Sequence, residues 1–377
     1  MVKCQAVMDV MERLAPRRLA EEWDNPGLLL GSPAQEVRRI LVCLDVRDTL
    51  AERAIAEKFE AVSLGCNLIV SHHPLIFRGL KKLRTDRPEG RLIEKLIRGG
   101  VAVFVAHTNL DIAAGGVNDV LAERIGLTDL EPFKVTETEE LVKLAVYVPK
   151  DEADAVREAI TGAGAGHIGR YRACTFTVAG QGTFLPEAGT HPFIGRPGRM
   201  ETVDEVRIET IFPAAIERRV VRAMLKAHPY EEVAYDLYPL RNPGRAESLG
   251  RIGRLSAPMT ADAFAARVKD ALGADYVRLV RAGERRVEKV GLLSGSGAEF
   301  IDKAAIMGCD AYVTGDVRYH DAQRAVELGL HVIDAGHFAS EQIIVPVLAR
   351  YLAEATAQGG VEVVADDTAR DFFTLVR

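Results

Sequence analysis

Three unbroken apolar runs constrain this chain more than any other feature. RRILVCLDV (38–46), NLIVSHHP (67–74) and VAVFVAHTNLD (101–111) lack the alternation of a strand with one wet face. Such strands are buried on both faces, the pattern of largely parallel sheets covered by crossover helices. The amphipathic segments TLAERAIAEKFEAV and GRLIEKLIRGG lie between the runs and supply those helices. The same alternation resumes beyond residue 245: RVEKVGLLSGSG, EFIDKAAIMG, DAYVTGDV, YHDAQRAVELG and LHVIDAGH. A long helical segment, ASEQIIVPVLARYLAEAT, and a final strand, DFFTLVR, are expected to follow. Pro346 inside that helix should kink it or sit in its first turn.

The middle of the chain reads differently. LVKLAVYVP, EADAVREAITGAG, YRACTFTVAG, VDEVRIETIFP, AAIERRVVRAMLKA and EEVAYDLYPL give the order βαββαβ, that of a ferredoxin-like α+β module. EPFKVTETEE (131–140) and RNPGRAESLG (241–250) read as the joints around it. At about 150 residues per domain, 377 residues leave roughly two and a half domains. The expectation is therefore one discontinuous α/β domain with mostly parallel sheets. Its first half is 1–130 and its second half 245–377, with an inserted domain over 131–244.

Composition removes several function classes. The 48 basic and 54 acidic residues give a net charge of −6, without the basic excess of a duplex nucleic-acid binder. Five scattered cysteines with no C-x-x-C argue against a disulfide framework or a structural zinc finger. No apolar run is long enough to span a bilayer, and MVKCQAVMDVMERL has no signal-peptide core. A cytoplasmic protein is expected.

In open α/β sheets, ligands bind beyond the carboxyl ends of the strands. The polar residues there are His72 and His73, then His107 and Asp111, then His337 with Glu341 four residues later. Four of the nine histidines thus fall at three strand ends, taken here as the carboxyl edge of one sheet. Imidazole and carboxylate are ligands for zinc, manganese or iron. His72, His73, His337, Asp111 and Glu341 exceed the three protein ligands that one open catalytic metal takes, and would suit two metals bridged by a carboxylate and a hydroxide. Singly, each has a plainer role. His-His before Pro74 is an ordinary loop, His107 a core histidine, Asp111 a helix cap, and Glu341 a first-turn acid. Together at adjacent strand ends, they favour metal.

The motifs SHHP (71–74), AHTNLD (106–111) and GHFASE (336–341), with EEWDNPGLLLGSP (21–33), resemble the Nif three-like family of dinuclear metal proteins, the GTP cyclohydrolase 1 type 2 homologues. The resemblance implies metal ligation by His72, His73, Asp111, His337 and Glu341, with Glu341 bridging two ions. It places His107 beside the metals, where our assignment is either support of the ligands from behind or proton transfer. The middle segment is similar to the PII/CutA-like module of one bacterial subfamily. A toroidal homo-hexamer with metal sites facing an internal cavity is also implied.

Two glycine stretches bear on nucleotide binding. Gly164, Gly166 and Gly169 satisfy G-x-G-x-x-G but follow a helix rather than opening one, so a tight turn is the better reading. Gly295 and Gly297 follow a strand and open a helix, where backbone N–H groups would hold a phosphate or form an ordinary turn. Asp316 and His320 line the cavity or support their turn. His228, Glu231 and Glu232 mimic a ligand cluster but read better as a strand entry. The leading functional reading is a hydrolase with two divalent ions per subunit, zinc being favoured over iron or manganese by the Irving–Williams order. Its hydroxide would attack a small, nucleotide-like substrate, as in ring-opening hydrolysis of GTP, or other amide or phosphoester electrophiles. The other reading is a non-catalytic metal-containing scaffold or regulatory binding protein.

Overall fold

The computed structural model describes residues 2–59 and 66–376. The chain divides into two compact units, one formed by residues 1–137 with 247–377, the other by 138–246. The sequence places these joints a few residues earlier, at 130/131 and 244/245.

The first flank runs through β1 (Val2–Lys3), α1 (Cys4–Leu14), β2 (Gly27–Leu30), β3 (Glu36–Val37), β4 (Arg39–Cys43), α2 (Asp48–Phe59) and β5 (Leu68–Ser71). It continues through α3 (Pro88–Gly99), β6 (Ala102–Val105), α4 (Thr108–Ile112), α5 (Val117–Ile125) and β7 (Thr128–Thr138). The helical segment expected over 49–62 is seen as far as Phe59; its end lies outside the described residues. The ends of α3 show how local chemistry sets the elements. Pro88 occupies its first position, where no N–H is needed, and Gly100 stops it in the left-handed region at φ 62°.

The inserted unit comprises β8 (Leu141–Pro149), α6 (Ala153–Gly162), β9 (Phe176–Phe184), β10 (Glu201–Pro213), α7 (Glu217–Ala227) and β11 (Tyr235–Leu240). Its four strands pair antiparallel in the order β11-β8-β10-β9. With the βαββαβ order this is a ferredoxin-like arrangement. Val146, Ile208, Val156 and Met224 form a core of its own between sheet and helices.

The second flank holds β12 (Ala246–Met259), α8 (Ala261–Leu272), β13 (Arg278–Val280), β14 (Val287–Ser296), α9 (Ile301–Ile306), β15 (Ala311–Gly315) and α10 (Tyr319–Glu327). It ends with β16 (His331–Asp334), α11 (His337–Gln342), α12 (Ile344–Thr356) and β17 (Glu362–Ala365). Pro346 falls in the first turn of α12, where it costs no helical hydrogen bond.

Two principal sheets result, both mixed. The five-stranded sheet β17-β4-β5-β6-β2 is parallel apart from β2. In the six-stranded sheet β13-β16-β15-β14-β12-β7, β14-β15 and β15-β16 pair parallel, while β13-β16 and β12-β14 are antiparallel. Mostly parallel pairing therefore holds for the first half and not for the second. β2 and β13 lie at sheet edges, where an antiparallel neighbour can be added without a crossover helix. A common core joins the halves: Val42, Val70 and Phe104 pack in one cluster with Leu292, Val313, Ile333, Leu348 and Leu352. Separate apolar clusters cover the far face of each sheet.

Three expectations need correction. EPFKVTETEE is not a linker: most of it lies in β7, next to β12 in the six-stranded sheet. DFFTLVR is not a strand: its described residues are irregular and exposed, and the final strand is β17, which joins β4 in parallel. The strand ends bearing the candidate ligands belong to two sheets rather than one, β5 and β6 to the first and β16 to the second.

Candidate metal centre

His72 and His73 follow β5 directly, in a bend ahead of Pro74. Their backbone N–H groups donate to Cys43 O (3.1 Å) and Leu44 O (2.9 Å), which keeps the pair aligned on the end of β4. A straight strand would send the two side chains to opposite faces. The bend instead brings their ring centroids to 5.1 Å. Asp111 projects from α4, just beyond β6, and α11 carries His337 and Glu341 one turn apart on one face.

These residues from both flanks meet around Glu341. Its Oε2 lies 2.9 Å from His73 Nε2 and 3.1 Å from His337 Nε2. Its Oε1 faces His72 Nε2 at 3.8 Å, and His72 Nε2 is 3.6 Å from Asp111 Oδ1. Two groups of metal-ligand type share that carboxylate: His73, His337 and Glu341, and His72, Asp111 and Glu341. A third group joins His72, His73 and His107. Within each, the ligand atoms lie within 4.8 Å of one another.

The Nδ1 atom of every histidine here is already engaged. His72 donates to Ala106 O (2.9 Å), His73 to Asp45 Oδ1 (2.7 Å), His337 to Asp316 Oδ2 (2.8 Å) and His107 to Asp24 Oδ1 (2.8 Å). Fixing Nδ1 orients each ring and turns its Nε2 towards the cluster, the usual preparation of a metal-binding imidazole. His72 Nε2 is buried with no hydrogen-bond partner among the described residues. A buried orphan nitrogen costs free energy unless something occupies it, and a cation is what this donor set fits. These groups can hold a metal ion.

The electrostatics match. Burial alone would raise the Glu341 carboxyl, but three imidazoles hold it well below the carboxylate range. Burial would depress His73, yet Asp45 and Glu341 push it up to about 10. The Glu341 hydrogen bond outweighs burial at His337 and, with Asp316, raises it to about 9. The pocket thus stabilises positive charge where ligand atoms converge.

The surrounding contacts tie the flanks together. Asn118, on α5, donates to Asp111 O (2.9 Å) and accepts from Ser294 N (2.9 Å) on β14. Gly295 is part of the wall. Its φ is 62°, its N–H donates to Ser340 Oγ (2.9 Å), and a Cβ there would collide with Glu341 Oε1. Gly297 donates its N–H to Thr314 Oγ1 (3.0 Å). The backbone donors on which a Gly295–Gly297 phosphate cradle depends are therefore already taken, and the following α9 has only six residues. Gly295 acts by making room for Glu341.

Asp316 is brought into the centre and His320 is not; the latter sits exposed on α10. Asp316 itself is held at φ 56°, a strained value for a residue with a Cβ and common at functional positions. His228 donates to Tyr147 O (2.9 Å) and accepts from Tyr230 N (3.1 Å), a structural role. Sequence reasoning missed Asp45 and Asp24 as partners. Asp45 lies two residues beyond the end of β4, so the search of strand ends should have found it. Asp24 lies on an irregular segment that carries no periodic signal.

The fold and this cluster define a mixed α/β protein, interrupted by a ferredoxin-like unit, with a histidine–carboxylate centre able to bind metal. The family model for DUF34/NIF3 (NGG1p interacting factor 3) matches residues 2–371. The chain belongs to that family. Proteins named GTP cyclohydrolase 1 type 2 homolog from Halalkalibacterium halodurans and Bacillus subtilis are each 44% identical to it. The first match covers 99% of this chain and 98% of that protein, the second 100% and 99%. Among solved structures, a Bacillus cereus protein related to NIF3 is 42% identical with a TM-score of 0.90, and a Staphylococcus aureus protein 29% identical with 0.78. Both matches cover 100% of this chain and 99% of the other. No helix among the described residues is long and apolar enough to cross a membrane.

Proposed function

We propose that the centre holds two divalent cations joined through Glu341, and that the chain is a metal-dependent hydrolase acting on a nucleotide-like substrate. The observation that carries the dinuclear reading is the division of Glu341: one oxygen serves His73 and His337, the other faces His72 beside Asp111. Zinc is the assigned ion on ligand chemistry, iron or manganese being the alternatives that availability would select.

The relatives' name, GTP cyclohydrolase 1 type 2 homolog, suggests the reaction class, which we assign as hydrolysis at a cyclic amidine C–N bond. Divalent cations held here would polarise a substrate oxygen and bring the pKa of coordinated water towards neutrality. The protein's own share is orientation and access. Asp45, Asp316 and the Ala106 carbonyl fix three imidazoles by their Nδ1–H groups. His72 is sealed at 1% side-chain exposure, whereas His337 is 38% exposed. One edge of the centre is thus open, as a substrate requires and a closed structural site does not. His107, held by Asp24, presents its free Nε2 beside the cluster and is the residue we assign to proton transfer. The same reading makes the inserted unit a PII/CutA-like accessory module and the protein a cytoplasmic homo-hexamer.

The test is turnover. Protein stripped by chelator and reloaded with zinc, iron or manganese is assayed against GTP, other nucleotides and phosphoesters. Product formation that disappears on stripping and returns on reloading is expected. A fully loaded protein that turns over none of these substrates overturns the hydrolase reading.

A further inference from the structure

We propose that Trp23 and Phe77 form a platform on which a planar heteroaromatic ring of the substrate lies, directly beside the metal centre. The two rings pack at 5.7 Å between centroids, and each also abuts His107, at 6.1 and 6.4 Å. His107 in turn stands 5.3 Å from His72 and 5.8 Å from His73. An unbroken chain of rings runs from solvent to the ligand histidines. Trp23 is 58% exposed and Phe77 43% exposed.

A single exposed aromatic residue needs no explanation. Here two are held in place at the mouth of a polar site. Asn25 Nδ2 donates to Ile76 O (2.8 Å), tying the Trp23 segment to the Phe77 segment. Glu21 N donates to Thr108 Oγ1 (3.1 Å), while Asp24 accepts from Thr108 N (2.9 Å) and from His107. Rigid aromatic faces give large contact area at little entropic cost. Beyond Phe77 the chain continues through Arg78, Lys81 and Lys82, all exposed, in a protein of net charge −6. An aromatic surface followed by cations suits a ring that carries an anionic tail.

This rests on reading the centre as a substrate site, and the experiment separates the two. Trp23 is the only tryptophan of the chain, so its emission reports the platform directly. Zinc-loaded full-length protein is titrated with guanosine 5′-monophosphate, guanosine and ribose 5-phosphate, exciting above nucleobase absorption. Saturable quenching by both ring-bearing probes, and none by ribose 5-phosphate, is the expected result. Phe77→Ala should weaken binding at least about tenfold, as loss of a base-stacking partner does. Trp23→Leu, followed by calorimetry, should show a similar loss and Trp23→Phe should restore most of it, with zinc content unchanged throughout. Absence of saturable quenching, or unchanged affinity in Phe77→Ala and Trp23→Leu, overturns the platform. Ring binding without metal-dependent turnover would retain the platform and remove the hydrolase reading; turnover without ring binding would do the reverse.

Discussion

Each metal-directed nitrogen in this protein is prepared by a partner on the other side of its ring, and Asp24 shows the strength of one such arrangement. Burial alone would raise its carboxyl, but bonds from His107 and Thr108 bring it down to about 2. A carboxyl lowered by the fold contributes stability that is complete above its ordinary value of 3.8 and lost as pH falls towards 2. The contribution is about 2 kcal/mol at neutral pH. Asp24→Asn should therefore be destabilised by that order at pH 7, and denaturant unfolding should show the gap to wild type closing between pH 4 and pH 2. A gap independent of pH would contradict this account of Asp24. Gly295 makes a second test at this scale. Adding one methyl in Gly295→Ala pushes against Glu341 and strains a φ of 62°. A loss of roughly 1–2 kcal/mol is expected. Metal affinity should fall at the same time, by calorimetric titration with zinc.

Elements were legible in the sequence to different degrees, and burial explains the difference. The runs around β4, β5 and β6 are apolar on both faces because both faces are covered, so continuous hydrophobicity found them. β7 lies at the end of its sheet with nearly every residue at least partly exposed, and therefore reads as a linker. DFFTLVR has the composition of a strand but, among the described residues, no partner strand, and pairing is what composition cannot express. The five ligand candidates were visible because strand ends are marked by the apolar runs that precede them. Arg251 was invisible. Buried on β12, it donates to Ile112 O (3.1 Å) and Ala113 O (3.2 Å) at the end of α4, to Ser248 O and Gly250 O, and pairs with Asp119. It anchors the short helix that carries Asp111. Arg251→Ala removes the guanidinium that serves four backbone carbonyls and Asp119 at once, and should cost about 3 kcal/mol or more. Arg251→Lys should rescue little, because a single ammonium cannot reproduce the guanidinium fork. Chemical denaturation of both variants provides the measurement.

At the scale of the whole molecule, the centre closes a unit whose two halves are separated by more than a hundred residues of chain. The ends of the inserted unit are close together: Glu139 N donates to Arg245 O (2.9 Å). Replacing residues 139–245 by a short turn should therefore leave an outer unit that folds and binds metal; failure of that protein to bind zinc would refute the independence of the units. We propose Glu341 as the residue common to two cation positions, and metal stoichiometry tests it most directly. Elemental analysis of zinc-reconstituted, gel-filtered protein should give two ions per chain for wild type and close to none for Glu341→Ala, with the variant still folded by circular dichroism. One ion per chain in the wild type, or two retained in folded Glu341→Ala, would contradict it.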